Sequence, residues 1–448
     1  MIHLYPTPSA DEVRHLCPRC QIRPKITGWY VPGMRCLAKL RCGRCGDEFY
    51  GDLPAGQGLY TPMLLERRTG VVHDVYGVAW FAAWLRQSYV ERTSAPLGMT
   101  VRKATPPGGR DRERGRKAVL LNCLDTLYGH TLLKLLNAQY YIDERPDLET
   151  IVMVPRFLEW MVPDGVAQRW VVDLPLRDGT QWNDWLAGEI RRLVEGFDEC
   201  YLSLAFSHPS SCDFSIERFT GIHPFPRDEW EARLPRPSVT FIWRDDRRWE
   251  APVVPLPGES NRRARWADRL RRSPLTGRAE QEQWRRVRTL AEELRRSWPA
   301  VDLAVAGLGA PGGFPSWITD LRCERIDTTI ERRWCERYAA SHIVVGVHGS
   351  NMLLPSAHAG AVVELMPPDR WGNVLQDLLV PCDDARETMF RRRILPTSTS
   401  PQEVALVVDS MLRLDHGMRL MMSREFCRHG APRDVGRWQF PQRSRPHS

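Results

Sequence analysis

The stretch Ile343-Val344-Val345-Gly346-Val347-His348-Gly349-Ser350-Asn351-Met352-Leu353, with Ala361-Val362-Val363-Glu364-Leu365 just beyond it, decides the fold class. Residues 343–347 form a short apolar run, which suits a strand buried on both faces. It ends in His348-Gly349, and a glycine there lets the backbone approach a ligand closely. A helix is expected from Met352, with Ser350 or Asn351 as its cap. Free N–H groups and the positive dipole end at such a helix start suit a phosphate. His348 is placed to meet a diphosphate or a ribose, and Glu364 offers a carboxylate to ribose hydroxyls. The same unit also fits an ordinary capped turn in an α/β domain.

Outward from this stretch the pattern repeats. Val239-Thr240-Phe241-Ile242-Trp243-Arg244 and Val301-Asp302-Leu303-Ala304-Val305-Ala306 read as strands. Helices are expected over 281–298, 331–340 and 401–414. An earlier block has strands at 118–123, 151–154 and 170–174, with helices at 131–141 and 181–194. Strand and helix alternate in both blocks, so the fold class is α/β, with two Rossmann-like domains facing a cleft. The expected boundaries are a small metal-binding unit at 1–55, a helix and flexible linker at 56–115, a first α/β domain at 116–236, a second at 237–420, and a tail at 421–448.

Residues 343–367, IVVGVHGSNMLLPSAHAGAVVELMP, resemble the nucleotide-binding segment of GT-B glycosyltransferases. The resemblance is to the group containing EGF-domain O-GlcNAc transferase and the plant xylosyltransferases. That group carries His-Gly-Ala-Gly-Leu where this chain has His348-Gly349-Ser350-Asn351-Met352. The resemblance implies a nucleotide-sugar donor, a hydroxyl acceptor, an inverting transfer and no metal in the chemistry. Donor-domain strands of the group end in Arg on the diphosphate, a role that falls here to Arg244 and Arg247. A guanidinium gives charge and paired hydrogen bonds without a metal.

An inverting transfer needs a base on the acceptor hydroxyl. The turn after the first strand of the first block offers Asp125 and His130. Both also fit simple helix-start roles, Asp125 as a cap and His130 as a hydrogen-bonder. Phe206-Ser207-His208-Pro209 and Asp213 are further candidates to line the cleft.

The N-terminus carries a separate signal. Cys17-Pro18-Arg19-Cys20 and Cys42-Gly43-Arg44-Cys45 are two Cys-x-x-Cys knuckles, 21 residues apart. Four thiolates in this spacing suit one tetrahedral structural zinc, in a zinc ribbon. Four protein ligands leave no open coordination position, so a catalytic zinc is not expected. Cys36 is not needed as a ligand. The ribbon is expected to recognise the acceptor or a partner.

The 448 residues carry 12 Cys and a net charge of +8. Residues 262–296 hold 12 Arg against 5 Asp/Glu, so one segment accounts for nearly the whole excess. That confinement argues against a protein that is basic throughout to bind nucleic acid. The rival reading is a zinc-ribbon nucleic-acid-binding protein with a non-catalytic α/β scaffold. Trp284, Val287, Leu290, Ala291 and Leu294 share one face of the 281–298 helix, which turns its Arg residues to solvent. No apolar run of about 18 residues is present to cross a membrane. The sequence starts without a basic, then apolar, leader, and a reduced cytoplasmic chain is expected. The apolar residues from Val75 to Leu85 are expected to form a packed helix.

Overall fold

A computed structural model describes residues 3–5, 15–55, 63–74, 77, 79–104, 115–205, 209, 213–249, 277–374, 379 and 385–421. The expected linker at 106–114, the Arg-rich piece up to residue 276, His208 and the tail from 422 lie outside the described residues.

The described strands form three sheets. Strands are numbered in chain order. The largest part of the N-terminal region is an antiparallel meander of β2 (Lys25–Tyr30), β3 (Leu37–Arg41), β4 (Glu48–Asp52), β5 (Met63–Glu66) and β6 (Val72–Asp74). The next sheet is built on β8 (Lys117–Asn122), β9 (Glu149–Pro155), β10 (Gln168–Val172) and β11 (Glu199–Ser203), all parallel. Its edges are β1 (His3–Tyr5), parallel to β11, and β7 (Met99–Lys103), antiparallel to β10. The third sheet contains β12 (Ser238–Trp243), β13 (Asp302–Leu308), β14 (Ile318–Cys323), β15 (Ile343–Val347), β16 (Ala361–Met366) and β17 (Arg392–Pro396).

The third sheet is parallel throughout and runs β14-β13-β12-β15-β16-β17. Counted within its own block this is 3-2-1-4-5-6, a doubly wound order whose direction reverses between β12 and β15. The middle sheet reverses likewise between β8 and β11. Ligands of open α/β sheets bind beyond the carboxyl ends of strands at such reversals. The turns carrying Arg244, His348 and Asp125 therefore all leave strands that border a reversal.

Side chains on the middle sheet alternate between two cores, as the two-residue strand period requires. Val119, Leu121, Val152, Val154 and Val171 face the helices Tyr128–Leu136 and Ala138–Glu144. Ala118, Leu120, Ile151, Met153, Trp170 and Val172 face Val31, Cys36, Ala38, Leu40, Phe49 and Leu53 of the meander, together with Leu186 and Ile190. The cysteine ribbon thus covers much of one sheet face, where a doubly wound fold ordinarily has only helices. The meander runs to Asp74, and residues 3–5 pair with the α/β sheet instead.

The apolar helix spans Ala79–Val90 and packs through Leu85 and Tyr89 against Leu37, Tyr50 and Trp182, leaving Trp80 exposed. The single helix expected at 131–141 is two helices that meet at Asn137, whose side chain donates to the carbonyls of Leu133 and Lys134. Such local bonding competes with helix propagation. The helix Gly277–Ser297 matches its amphipathic reading, with Val287, Leu290, Ala291 and Leu294 buried. Its arginines pair with carboxylates three or four residues away: Arg285 and Arg286 with Glu282, Arg288 with Glu292, and Arg296 with Glu293.

Candidate functional site

Two strand ends of the third sheet meet over one turn. Arg244 follows β12, and its Nη1 donates to Asn351 Oδ1 at 2.6 Å, beyond the end of β15. Arg247 Nη1 donates to the His348 carbonyl at 2.6 Å. Both guanidinium groups thus cross the sheet reversal. Gly349 has φ +147°, a conformation that favours glycine. A Cβ there would also lie 2.4 Å from Arg244 Nη1 and 2.8 Å from Arg247 Nη1. The glycine is therefore required twice, by backbone conformation and by the approach of two cations.

Among the described residues, these cations are only partly neutralised. Arg244 makes a bidentate pair with the exposed Asp246, at 2.7 and 2.5 Å. The Arg247 guanidinium is pushed below its usual range by burial and by the positive charges of Arg244 and Arg370. Arg370 lies on the short turn after β16 and has no counterpart in the sequence reading. Its position beyond a third strand end is the signal that would have found it.

His348 and Glu364 pair with each other. Glu364 is fully buried, and its Oε1 lies 3.0 Å from His348 Nδ1. Its Oε2 accepts from Arg392 Nη2 at 2.9 Å. Glu364 was expected to meet ribose hydroxyls; in the structure both its oxygens are engaged inside the sheet, one of them with the His348 ring. The capping expectation also changes. Residues 350–352 form a 3-10 turn that leads into the short helix Leu353–His358, and no side-chain cap bond is made at either start. Asn351 receives Arg244 instead.

In the middle sheet, Asp125 and His130 are brought together. His130 Nδ1 lies 3.4 Å from Asp125 Oδ1. The same oxygen accepts from the backbone N–H groups of Thr126 and Leu127. Asp125 Oδ2 accepts from Lys134 Nζ at 2.6 Å, and Lys134 is fully buried. Burial alone would raise the Asp125 pKa. Lys134 and His130 outweigh it and hold the carboxyl well below the usual carboxylate range. A carboxylate so stabilised is a poor proton acceptor. Of the two base candidates, Asp125 holds the turn through Thr126, Leu127 and Lys134, and the partly exposed His130 lies beside it.

The two candidate clusters lie against each other. A Cβ on Gly129 would come within 2.6 Å of Ser350 Cβ and 3.1 Å of Leu353 Cδ1. The helix start that bears His130 thus packs directly on the Ser350-Asn351 turn. Asp213 is exposed on the surface.

The four predicted cysteines converge as well. Cys17, Cys20, Cys42 and Cys45 place their Sγ atoms within 4.8 Å of one another, with Cys17 and Cys45 at 3.7 Å. Sulfurs about 2.3 Å from a tetrahedral zinc would be about 3.8 Å apart, so the donor set fits that ion. The knuckles also share a backbone form. Gln21 N–H bonds the Cys17 carbonyl and Gly46 N–H bonds that of Cys42, and both Gln21 and Gly46 have positive φ. Cys36 is buried away from the cluster, beside Asn122.

No family model and no curated protein matches the chain. Among solved structures, E. coli ADP-heptose LPS heptosyltransferase II is similar at 12% identity and a TM-score of 0.35, over 67% of this chain and 99% of that one. A likeness this distant assigns no family. No helix among the described residues is long and apolar enough to cross a membrane.

Proposed function

We propose that the protein is a glycosyltransferase of GT-B type that moves a sugar from a nucleotide diphosphate donor to a hydroxyl acceptor. The observation that carries this reading is the convergence of Arg244 and Arg247 on the His348-Gly349-Ser350-Asn351 turn, with Gly129, the chain neighbour of His130, packed against Ser350 of the same turn. An anion site and a proton acceptor would thus adjoin at the strand ends of two largely parallel sheets. The resemblance of residues 343–367 to donor-binding segments supports the same assignment.

In this reading the donor diphosphate lies against Arg244 and Arg247, with Arg370 close by. The exposed Asp246 carboxylate occupies the Arg244 fork that phosphate oxygens would take. His130 removes the acceptor proton, and the acceptor oxygen bonds to the anomeric carbon. The bond from that carbon to the diphosphate breaks, and the guanidinium groups stabilise the charge that develops on the leaving group. Attack from the face opposite the diphosphate inverts the anomeric centre. Arginine supplies the positive charge, so the chemistry needs no divalent ion. Zinc in the ribbon is structural: Cys17, Cys20, Cys42 and Cys45 would hold it, and it would maintain the layer that covers the middle sheet.

The test is thermal unfolding with UDP, GDP, CDP and ADP, without added magnesium. A ligand at about 100 times its dissociation constant stabilises the protein by about 2.7 kcal/mol. One nucleotide raising the transition alone supports the reading and names the donor base. No shift with any of the four removes it.

A further inference from the structure

The two α/β sheets are joined by a buried carboxylate. Glu331 lies on the helix Thr328–Ala339, between β14 and β15. It is 5% exposed. Its Oε1 accepts from Tyr128 Oη at 2.5 Å, and its Oε2 accepts from Trp160 Nε1 at 2.8 Å. Both donors belong to the other sheet's connections: Tyr128 begins the helix after β8, and Trp160 lies on the 3-10 turn after β9. Phe157 stacks on Tyr128 with centroids 6.0 Å apart, and the Arg332 guanidinium lies over the Trp160 ring.

Among the described residues only these two neutral donors bond the Glu331 carboxylate, and a buried carboxylate so placed is costly. Burial raises the Glu331 pKa, and the two hydrogen bonds only partly oppose that. An apolar pair would hold the junction without this cost. What the carboxylate adds is direction: two hydrogen bonds of fixed geometry on elements that each leave the carboxyl end of a strand. Tyr128 is followed at once by Gly129, which touches Ser350, and by His130.

We propose that Glu331 is a positioning residue for transfer: through Tyr128 it sets the register of Gly129 and His130 against the Ser350-Asn351 turn. The role of His130 in that statement rests on the glycosyltransferase reading; the latch itself does not. Trp160 holds the other carboxylate oxygen and keeps it from rotating away from Tyr128.

The test is built so that the two readings fail separately. Histidine labelled at Cε1 gives one ring signal per residue, and His130→Asn and His348→Asn assign the two of interest. Tyr128→Phe and Glu331→Gln should each shift or broaden the His130 signal and leave that of His348 in place. Trp160→Phe removes the second hydrogen bond without cutting the path to His130, and should move that signal less than Tyr128→Phe does. A His130 signal that coincides with wild type in both Tyr128→Phe and Glu331→Gln overturns the proposal, whatever nucleotides bind. Equal displacement by Trp160→Phe and Tyr128→Phe also overturns it, because the carboxylate would then only hold the halves together. Titration of the same samples with the four nucleoside diphosphates tests the donor site independently. Glu331→Gln should bind within about threefold of wild type, and a wild type that binds none counts against the glycosyltransferase reading alone. With donor turnover, measured as nucleoside diphosphate release, Tyr128→Phe should lower kcat more than it raises KM.

Discussion

Gly129 and Ser350, 221 positions apart in the chain, are so close that a side chain on the first would meet the Cβ of the second at 2.6 Å. One lies in the first turn of a helix of the middle sheet and the other opens the turn after β15. Their contact brings a His–Asp pair and a two-arginine turn into one place. Neither cluster by itself distinguishes a functional site from an ordinary strand end.

This contact predicts a rescue. Gly129→Ala should destabilise the protein by about 1–3 kcal/mol, the usual cost of overpacking. Ser350→Gly in the same chain removes the opposing Cβ and should restore much of the loss. Urea unfolding of the two single variants and the double variant measures the coupling. Additive losses would show that the two residues do not press on each other.

Arg244→Ala and Arg247→Ala should each weaken nucleoside diphosphate binding by about 10- to 150-fold, from about 1.5–3 kcal/mol per charged hydrogen bond. Arg244→Lys should not restore it, because an ammonium cannot reproduce the paired geometry. Asp246→Asn should act oppositely and tighten binding by up to about fivefold, since an exposed pair of this kind contributes at most about 1 kcal/mol. Isothermal titration calorimetry distinguishes these outcomes.

Elemental analysis should find one zinc per chain. Cys42→Ser or chelation should release it and destabilise more than the ribbon, because Cys17, Cys36 and Cys42 share a core with Trp170, Ile151 and Leu120 of the middle sheet. Hydrogen exchange of β8 and β9 should rise when the metal is lost. Exchange confined to residues 15–55 would contradict this shared core.

Acid should destabilise the fold before most carboxylates titrate. His15, His342 and His358 are buried, and burial lowers each from 6.5 to about 4 against the raising effect of a backbone hydrogen bond. Each favours the neutral ring in the folded state. The stability this provides is complete above pH 6.5, declines as pH falls below it, and is gone below about 4. Between those values each ring contributes a slope of about 1.4 kcal/mol per pH unit. Urea midpoints between pH 7 and 5 should fall with this sign, and His358→Gln should flatten the slope. A flat profile over that range would mean that the rings are not held neutral.

Much of this was legible in the chain. The apolar runs at 118–123, 151–154, 239–243, 301–306, 343–347 and 361–365 all became central strands, because strands buried on both faces need unbroken hydrophobicity. The knuckles at Cys17 and Cys42 were legible because ligand spacing is a local property. The strands β7, β11, β14 and β17 were not. Segments such as Ile318–Cys323 and Arg392–Pro396 mix charged and apolar residues, and only a neighbouring strand makes them part of a sheet.

The sequence by itself therefore determined the residue types available at each strand end and the four cysteines that gather, since both follow from local pattern. Only the tertiary structure decided what surrounds them. Glu364 turned inward to His348 and Arg392, Asp125 was claimed by Lys134, and Glu331, an unmarked position on an amphipathic helix, came to join the two sheets. A carboxylate's function depends on which cations and donors surround it and on how much water remains. Those surroundings come from segments far away in the chain.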